Sequence, residues 1–357
     1  MSYRCLVCAV PALVCVAGLA PLRLMAQAKP ASSAKPATKK WTPPRTADGQ
    51  PDFQGYWATA TLTPLERPAE FAGKEFLTAQ EAEDFEKRTL AQVNSDRRDG
   101  SADADLRRNY NEFWRDRATT VVATLRTSII VDPPDGKIPP LTPEARRRRA
   151  ARATAVGPEG ARFEPVAAAP TAGTERLPAG PEDLALRIRC ISRDLPMIPT
   201  PNNNFLQIVQ GAGYVAISQE MMHEVRVIPL DSGPADRRQP HVDPKIRSYM
   251  GDSRAHWEGD TLVIDTINFI GKSNFYGADE GMHLTERLTR TDAGTILYQF
   301  TVDDPTAFTK PWSGELSMRK SDEPVEEYAC HEGNYSMTTI LAGARAAETR
   351  SGGEPKQ

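Results

Sequence analysis

Most of the signatures that name a mechanism are absent from this 357-residue chain. There is no H-x-H or H-E-x-x-H pair, so no ready-made metal-binding spacing, and no G-x-S-x-G nucleophile elbow. No glycine-rich phosphate loop or Rossmann fingerprint occurs, which sets aside phosphoryl transfer and dinucleotide use. Repeats and coiled-coil heptads are lacking, which disfavours a structural envelope protein. Charge of one sign is lacking too: 44 Lys+Arg stand against 47 Asp+Glu, so the electrostatic footprint of a nucleic-acid binder is not there. The one strongly apolar run lies at the N-terminus, where Pro11, Pro21 and Arg23 shorten it below the roughly 20 residues of a spanning helix.

That run has another reading. Arg4 supplies a short positive region, residues 5–22 are almost wholly apolar, and Ala26-Gln27-Ala28 offers an A-x-A cleavage site. The pattern predicts a secretory signal peptide cleaved after Ala28, hence a periplasmic or secreted chain with no stable membrane insertion afterwards. A lipoprotein reading at Cys15 is weakened by Val14, where a small residue is wanted. Cleavage removes Cys5, Cys8 and Cys15 and takes the formal charge from −3 to −5. Cys190 and Cys330 remain, and in an oxidising compartment they are expected to pair. Such a bridge would close a loop of well over a hundred residues, worth roughly 4–5 kcal/mol on the chain-entropy argument. The rival reading is a free catalytic cysteine beside His331. The basic run 146–149 reads as a solvated helix face.

Composition divides the rest. Residues 29–50 form an Ala/Ser/Pro/Lys tether expected to be disordered, 51–153 a mixed α/β region, and 154–182 an Ala/Pro/Gly-rich linker. Residues 183–345 make a β-meander domain, and 346–357 a disordered tail. Thr78-Ala79-Gln80-Glu81 is a capping box that opens a helix to about Val93. Thr142 and Pro143 start another helix as N-cap and N1, and 109–117 reads as a short helix.

From 204 onward β-rich runs alternate with tight turns: 205–210, 214–218, 221–230, 253–257, 261–269, 283–290, 295–302, 312–319 and 325–330. About nine strands with short connections predict an antiparallel meander that closes into a barrel or half-barrel, with a two-sheet sandwich as the alternative. Period-2 alternation puts Leu284, Glu286 and Leu288 on one face, and His223 on a face with Met221, Val225 and Val227. An ionisable residue on an apolar face must be paired, neutralised or beside a wet cavity.

Several phrases are distinctive. TADGQPDFQGYW at 46–57, GDSRAHWEGDTLV at 251–263 and YACHEGNY at 328–335 resemble the wording of a large family of uncharacterised exported bacterial proteins. The resemblance covers most of the mature chain and implies export, with no activity attached. Gly55-Tyr56-Trp57 also looks like the G-x-W that opens lipocalin-type barrels.

All five histidines fall between His223 and His331, so the polar chemistry is concentrated in the meander. The expectation is an exported small-molecule enzyme doing cofactor-independent acid/base chemistry of hydrolase or isomerase type in a barrel cavity. His223 would act as base, Glu286 as acid and Arg254 as anion clamp. Glu220, Asp252, Tyr214, Trp257, His283, His331 and Trp312 would line the ligand site. No cofactor is required, although the histidines and carboxylates keep a metal open as an alternative. The competing class is a periplasmic carrier for a hydrophobic or aromatic small molecule.

Overall fold

The structure, a computed structural model, describes residues 41–98, 100, 112–114, 118–151, 177–200, 202–231, 240–271 and 275–350. The expected signal peptide, most of the tether, most of the linker and the last seven residues lie outside the described residues. The described residues form one compact unit. Among the described residues no helix is long and apolar enough to cross a membrane.

The fold is mainly β: a nearly closed antiparallel barrel. Its strands are β1 (Gly55–Ala58), β2 (Ile130–Asp132), β3 (Phe205–Gly211), β4 (Tyr214–Gln219), β5 (Val225–Pro229), β6 (Asp252–Glu258), β7 (Thr261–Ile267), β8 (His283–Asp292), β9 (Thr295–Asp303) and β10 (Trp312–Ser321). The order around the sheet is β5-β4-β3-β1-β10-β9-β8-β7-β6, with β2 added on β10. At the seam the ends come together through a Leu230–Ala255 bridge, and the Asp231 N–H donates to the Ala255 carbonyl at 2.7 Å. Closure removes most of the exposed edge that an open meander would present.

Alternation fills the interior. Leu206, Ile217, Ile228, Ile264, Leu288 and Tyr298 are each no more than 1 % exposed and face inward from six different strands. Gly314 on β10 is required by packing, because a Cβ there would meet the Phe300 ring at 2.4 Å. The barrel is therefore a packed core, and the cavity expected inside it is occupied by side chains.

The N-terminal region is part of this barrel. β1 lies between β3 and β10, with Trp57 fully buried and its Nε1 donating to the Phe53 carbonyl at 2.8 Å. Helix α1 (Ala79–Val93) begins with the expected capping box: Glu81 N–H donates to Thr78 Oγ1 at 3.3 Å and Thr78 N–H to Glu81 Oε2 at 2.8 Å. Helix α2 (Pro143–Ala151) is capped by Thr142, whose Oγ1 accepts from Ala145 N at 3.1 Å. Of the segment expected as a short helix at 109–117, the described part is a single 3-10 turn, Glu112–Trp114.

Three local expectations need correction. The strand expected from Met221 begins only at Val225. Met221–His223 is a 3-10 turn with left-handed backbone at Met222 and His223 (φ 65° and 52°), closed by Gln219 N–H donating to the Glu224 carbonyl. The β4–β5 register then turns Arg226 and Ile228 inward and leaves Val225 and Val227 56 % and 64 % exposed. The expected strand at 325–330 is irregular, because this segment is held by the His223 ring and a disulfide rather than by a strand neighbour. Finally, a helix α3 (Tyr335–Arg350) ends the described chain, so that residues 346–350 of the expected tail are helical.

Candidate functional site

The expected catalytic pair is not a pair. His223 is exposed at the rim, where its Nε2 accepts from Tyr328 N–H at 3.0 Å. Glu286 does face inward, but at 0 % exposure, and its partner is Arg226. The two form a fork-to-fork ion pair of 2.6 and 3.1 Å, and the Tyr298 hydroxyl donates to Glu286 Oε1 at 2.7 Å. Tyr298 in turn accepts from Met197 N–H at 3.1 Å. Burial, followed by the Glu286 charge and hydrogen bond, pushes the Tyr298 phenol well above its ordinary value. This network compensates for burying charge in the core; it is closed to a substrate.

The other expected residues are spread over the molecule. Trp312 is fully buried, stacked on Phe275 with ring centroids 5.9 Å apart. Glu220 is buried and accepts from Phe205 N–H at 3.1 Å and Asn203 Nδ2 at 3.2 Å. Tyr214 and Trp257 lie beside the β3–β4 and β6–β7 hairpin turns, at the end of the barrel away from His283. His331 donates from Nε2 to the Cys190 carbonyl at 3.1 Å beside the Cys190–Cys330 disulfide, which forms as expected.

Asp252, Arg254 and His283 do come together, on the outer face of β6–β8. Alternation turns Ser253 and Ala255 into the barrel and Asp252, Arg254 and His256 outward. The β6–β7 register sets Arg254 opposite Asp265, and Asp265 opposite Thr285 on β8. The connection before β6 then lays His241 across this face. Its Nδ1 lies 2.8 Å from Asp252 Oδ2 and its Nε2 3.1 Å from Asp265 Oδ1. The second oxygen of Asp265 meets His283 Nε2. The result is a continuous row, Asp252–His241–Asp265–His283. Val242 N–H donates to Asp252 Oδ2 at 3.0 Å, and Arg254 Nη2 lies 3.7 Å from Asp252 Oδ1. The Arg254 Nε is buried without a hydrogen-bond partner among the described residues.

Proton accounting constrains this row. A neutral imidazole has one N–H, so His241 can satisfy both flanking carboxylates only if an additional proton resides on it or on one of them. For His283, the hydrogen bond to Asp265 raises the pKa above its ordinary value against the opposing effect of burial, with the charges of Asp265 and Asp303 adding to the rise. For Asp265, burial pushes upward, but hydrogen bonds from His283 and His241 outweigh it and hold the carboxyl below its ordinary value. His283 is 47 % exposed, and with Nε2 on Asp265 its Nδ1 is the nitrogen left to act. The pair's contribution to stability is complete between the unfolded aspartate value and the unfolded histidine value; the folded Asp265 pKa lies below that window and the folded His283 pKa above it. It is lost as pH falls through the lowered Asp265 pKa, and as pH rises through the raised His283 pKa.

His241 and Asp265 were not singled out from sequence. Asp265 carries a readable signal, a lone acid in the apolar strand Leu262-Val263-Ile264, and the Gly259-Asp260 turn sets its register against Arg254. His241 carries none, since it reaches the face from a connection of irregular structure.

A second polar group joins residues 192–194 to Glu224 in the β4–β5 connection. Asp194 is pushed up to about 7, by burial first and then by the Glu224 charge, against Arg187. Glu224 is raised by burial despite accepting from Arg193 N–H at 2.8 Å and Ser192 Oγ at 2.9 Å. Asp194 Oδ1 is buried and accepts no hydrogen bond among the described residues. Among the described residues no three His, Cys, Asp or Glu side chains are grouped so as to hold a metal ion. Comparison with protein families, with curated proteins and with solved structures finds no match to this chain.

Proposed function

We propose that the protein is an exported small-molecule enzyme whose acid/base chemistry, of hydrolase or isomerase type, runs on the outer rim of the barrel at Asp265–His283. The observation that carries this reading is the Asp252–His241–Asp265–His283 row ending in a solvent-facing imidazole. Asp265 holds the Nε2 proton, which fixes the tautomer and leaves the Nδ1 lone pair to take a proton from water or from an acidic C–H of a substrate. The imidazolium that results faces the Asp265 carboxylate, which stabilises it without itself becoming protonated. Arg254, opposite Asp265 in the β6–β7 ladder, is placed to hold an anionic group of the substrate or the developing oxyanion. Export is supported by the leader-like N-terminus and by the disulfide.

The test uses p-nitrophenyl acetate, an activated ester that reports any positioned imidazole base. His283→Gln is expected to lower kcat/KM by about 10²-fold, the lower end of what a positioned base contributes, while the chain stays folded with only a small drop in unfolding midpoint from loss of the half-exposed Asp265–His283 pair. No turnover above buffer, or turnover that His283→Gln leaves intact, contradicts the proposal.

A carrier reading has its own support. A cleft of about 280 Å³ is lined by Leu62, Leu65, Val93, Ile129, Ile198 and Tyr276, an apolar wall suited to a small hydrophobic ligand. Binding there should be indifferent to His283→Gln.

A further inference from the structure

The guanidinium of Arg67 takes no part in the rim chemistry or in the barrel core. Arg67 is 4 % exposed and is gripped by two neutral acceptors: Nε donates to Thr127 Oγ1 at 2.9 Å and Nη1 to the Pro134 carbonyl at 2.7 Å. Thr127 is itself fixed, its hydroxyl donating to the Lys74 carbonyl at 2.7 Å. The Arg67 N–H donates to the Gly136 carbonyl at 2.9 Å. Gly136 has a φ of +71°, and a Cβ there would meet Arg67 Cζ at 3.1 Å, so only glycine lets this turn lie against the guanidinium.

What the guanidinium does not have is a carboxylate. Glu75 is engaged by Arg126 at 2.6 Å, Glu66 by Lys137 at 3.6 Å, and among the described residues Arg67 makes no ion pair. The buried Arg226 has its Glu286; Arg67 instead lines a cleft of about 390 Å³, with no hydrogen bond on Nη2 among the described residues. A buried arginine held in a fixed orientation without a counter-charge is a preformed anion receptor, because an incoming carboxylate supplies the missing charge and matches the fork.

We propose that this cleft binds a small organic monocarboxylate, its carboxylate on the Arg67 guanidinium and its apolar body against Pro68, Ala69, Ala72 and Pro134. The class follows from the lining. Arg67 is the buried positive charge and calls for one negative charge; Lys137, which also lines the cleft, is engaged by Glu66 at 3.6 Å, and Asp135 and Glu75 on the same cleft repel a dianion such as phosphate more than a monoanion. The apolar wall favours a carbon body over a bare inorganic ion, and the volume lies near the lower end of the roughly 300–1,000 Å³ of small-molecule sites. The site is independent of the rim chemistry, so either reading can fail without the other.

Benzoate and, separately, inorganic phosphate titrated into the isotopically labelled mature chain provide the test, read by NMR at the Arg67 Nε–H and the Gly136 amide. Benzoate is expected to shift both saturably, and Arg67→Lys, which keeps the charge and loses the fork, is expected to weaken it about tenfold or more. Ala72→Glu adds a like charge at an exposed lining position and serves if Arg67→Lys does not fold; it is expected to weaken benzoate by a similar factor. Absence of a saturable benzoate shift overturns the proposal. So does phosphate binding more tightly than benzoate, or benzoate affinity unchanged in the variant that folds.

Discussion

Glu286→Leu, with Arg226 left in place, is expected to cost the fold about 3–5 kcal/mol, because it leaves a guanidinium buried without its counter-charge. The Arg226 side chain is 3 % exposed, its two Nη atoms have Glu286 as their ion-pair partner, and the Tyr298 hydroxyl also donates to this carboxylate. Removing the carboxylate therefore leaves three donors without an acceptor in a packed interior. Urea unfolding reads the loss as a lower midpoint at an unchanged slope. The double variant Arg226→Met/Glu286→Leu removes both charges and is expected to recover most of it, since well-packed apolar groups replace a buried ion pair at little net cost. A single variant as stable as the parent would mean that the interior admits water to Arg226. The same experiment bears on the site: recovery in the double variant marks Glu286 as the counter-charge of Arg226 rather than as a free acid.

Cys330→Ser is the second large effect. The Cys190–Cys330 bridge spans a sequence separation of 140, and its loss is expected to lower the unfolding free energy by about 4–5 kcal/mol on the chain-entropy argument. The structure adds a local consequence. Ala344 is the one buried residue of helix α3, and the hydrogen bonds that attach the helix and the turn before it include His331 to the Cys190 carbonyl, Asn334 to Ile188, and Arg345 to Pro178 and Ala179. Without the bridge, limited proteolysis should cut first between 321 and 335, before the barrel opens. An unchanged midpoint together with unchanged protease resistance would contradict both statements.

Alternation and turn chemistry made most of the barrel legible in the sequence. β9 alternates strictly enough that its inward set (Ile296, Tyr298, Phe300 and Val302) can be read directly. The parity of β5 could not be read that way. Val225 and Val227 are as apolar as the residues that face in, and the positive-φ turn at Met222–His223 that sets the phase has no glycine or asparagine to announce it. Inverting that one strand made His223 look like a core base and concealed Arg226. The place of β1 was hidden for another reason: its partners β3 and β10 are about 150 and 260 residues away in the chain, beyond the reach of any local pattern. The rim site was half legible. Asp252, Arg254 and His283 were named as residue types, but His241, which links the two aspartates, arrives from a connection whose path depends on tertiary packing.

The central claim is that His283 is a base oriented by Asp265, and its pH dependence tests this most directly. For p-nitrophenyl acetate hydrolysis by the protein, kcat/KM should rise with pH through an inflection above the ordinary histidine value of 6.5, because only deprotonated His283 can act and its pKa is raised. Asp265→Asn removes the largest cause of that rise. It should move the inflection down toward 6.5 and lower the high-pH plateau. An inflection that stays in place in Asp265→Asn, or a rate with no inflection in the histidine range, would contradict the account.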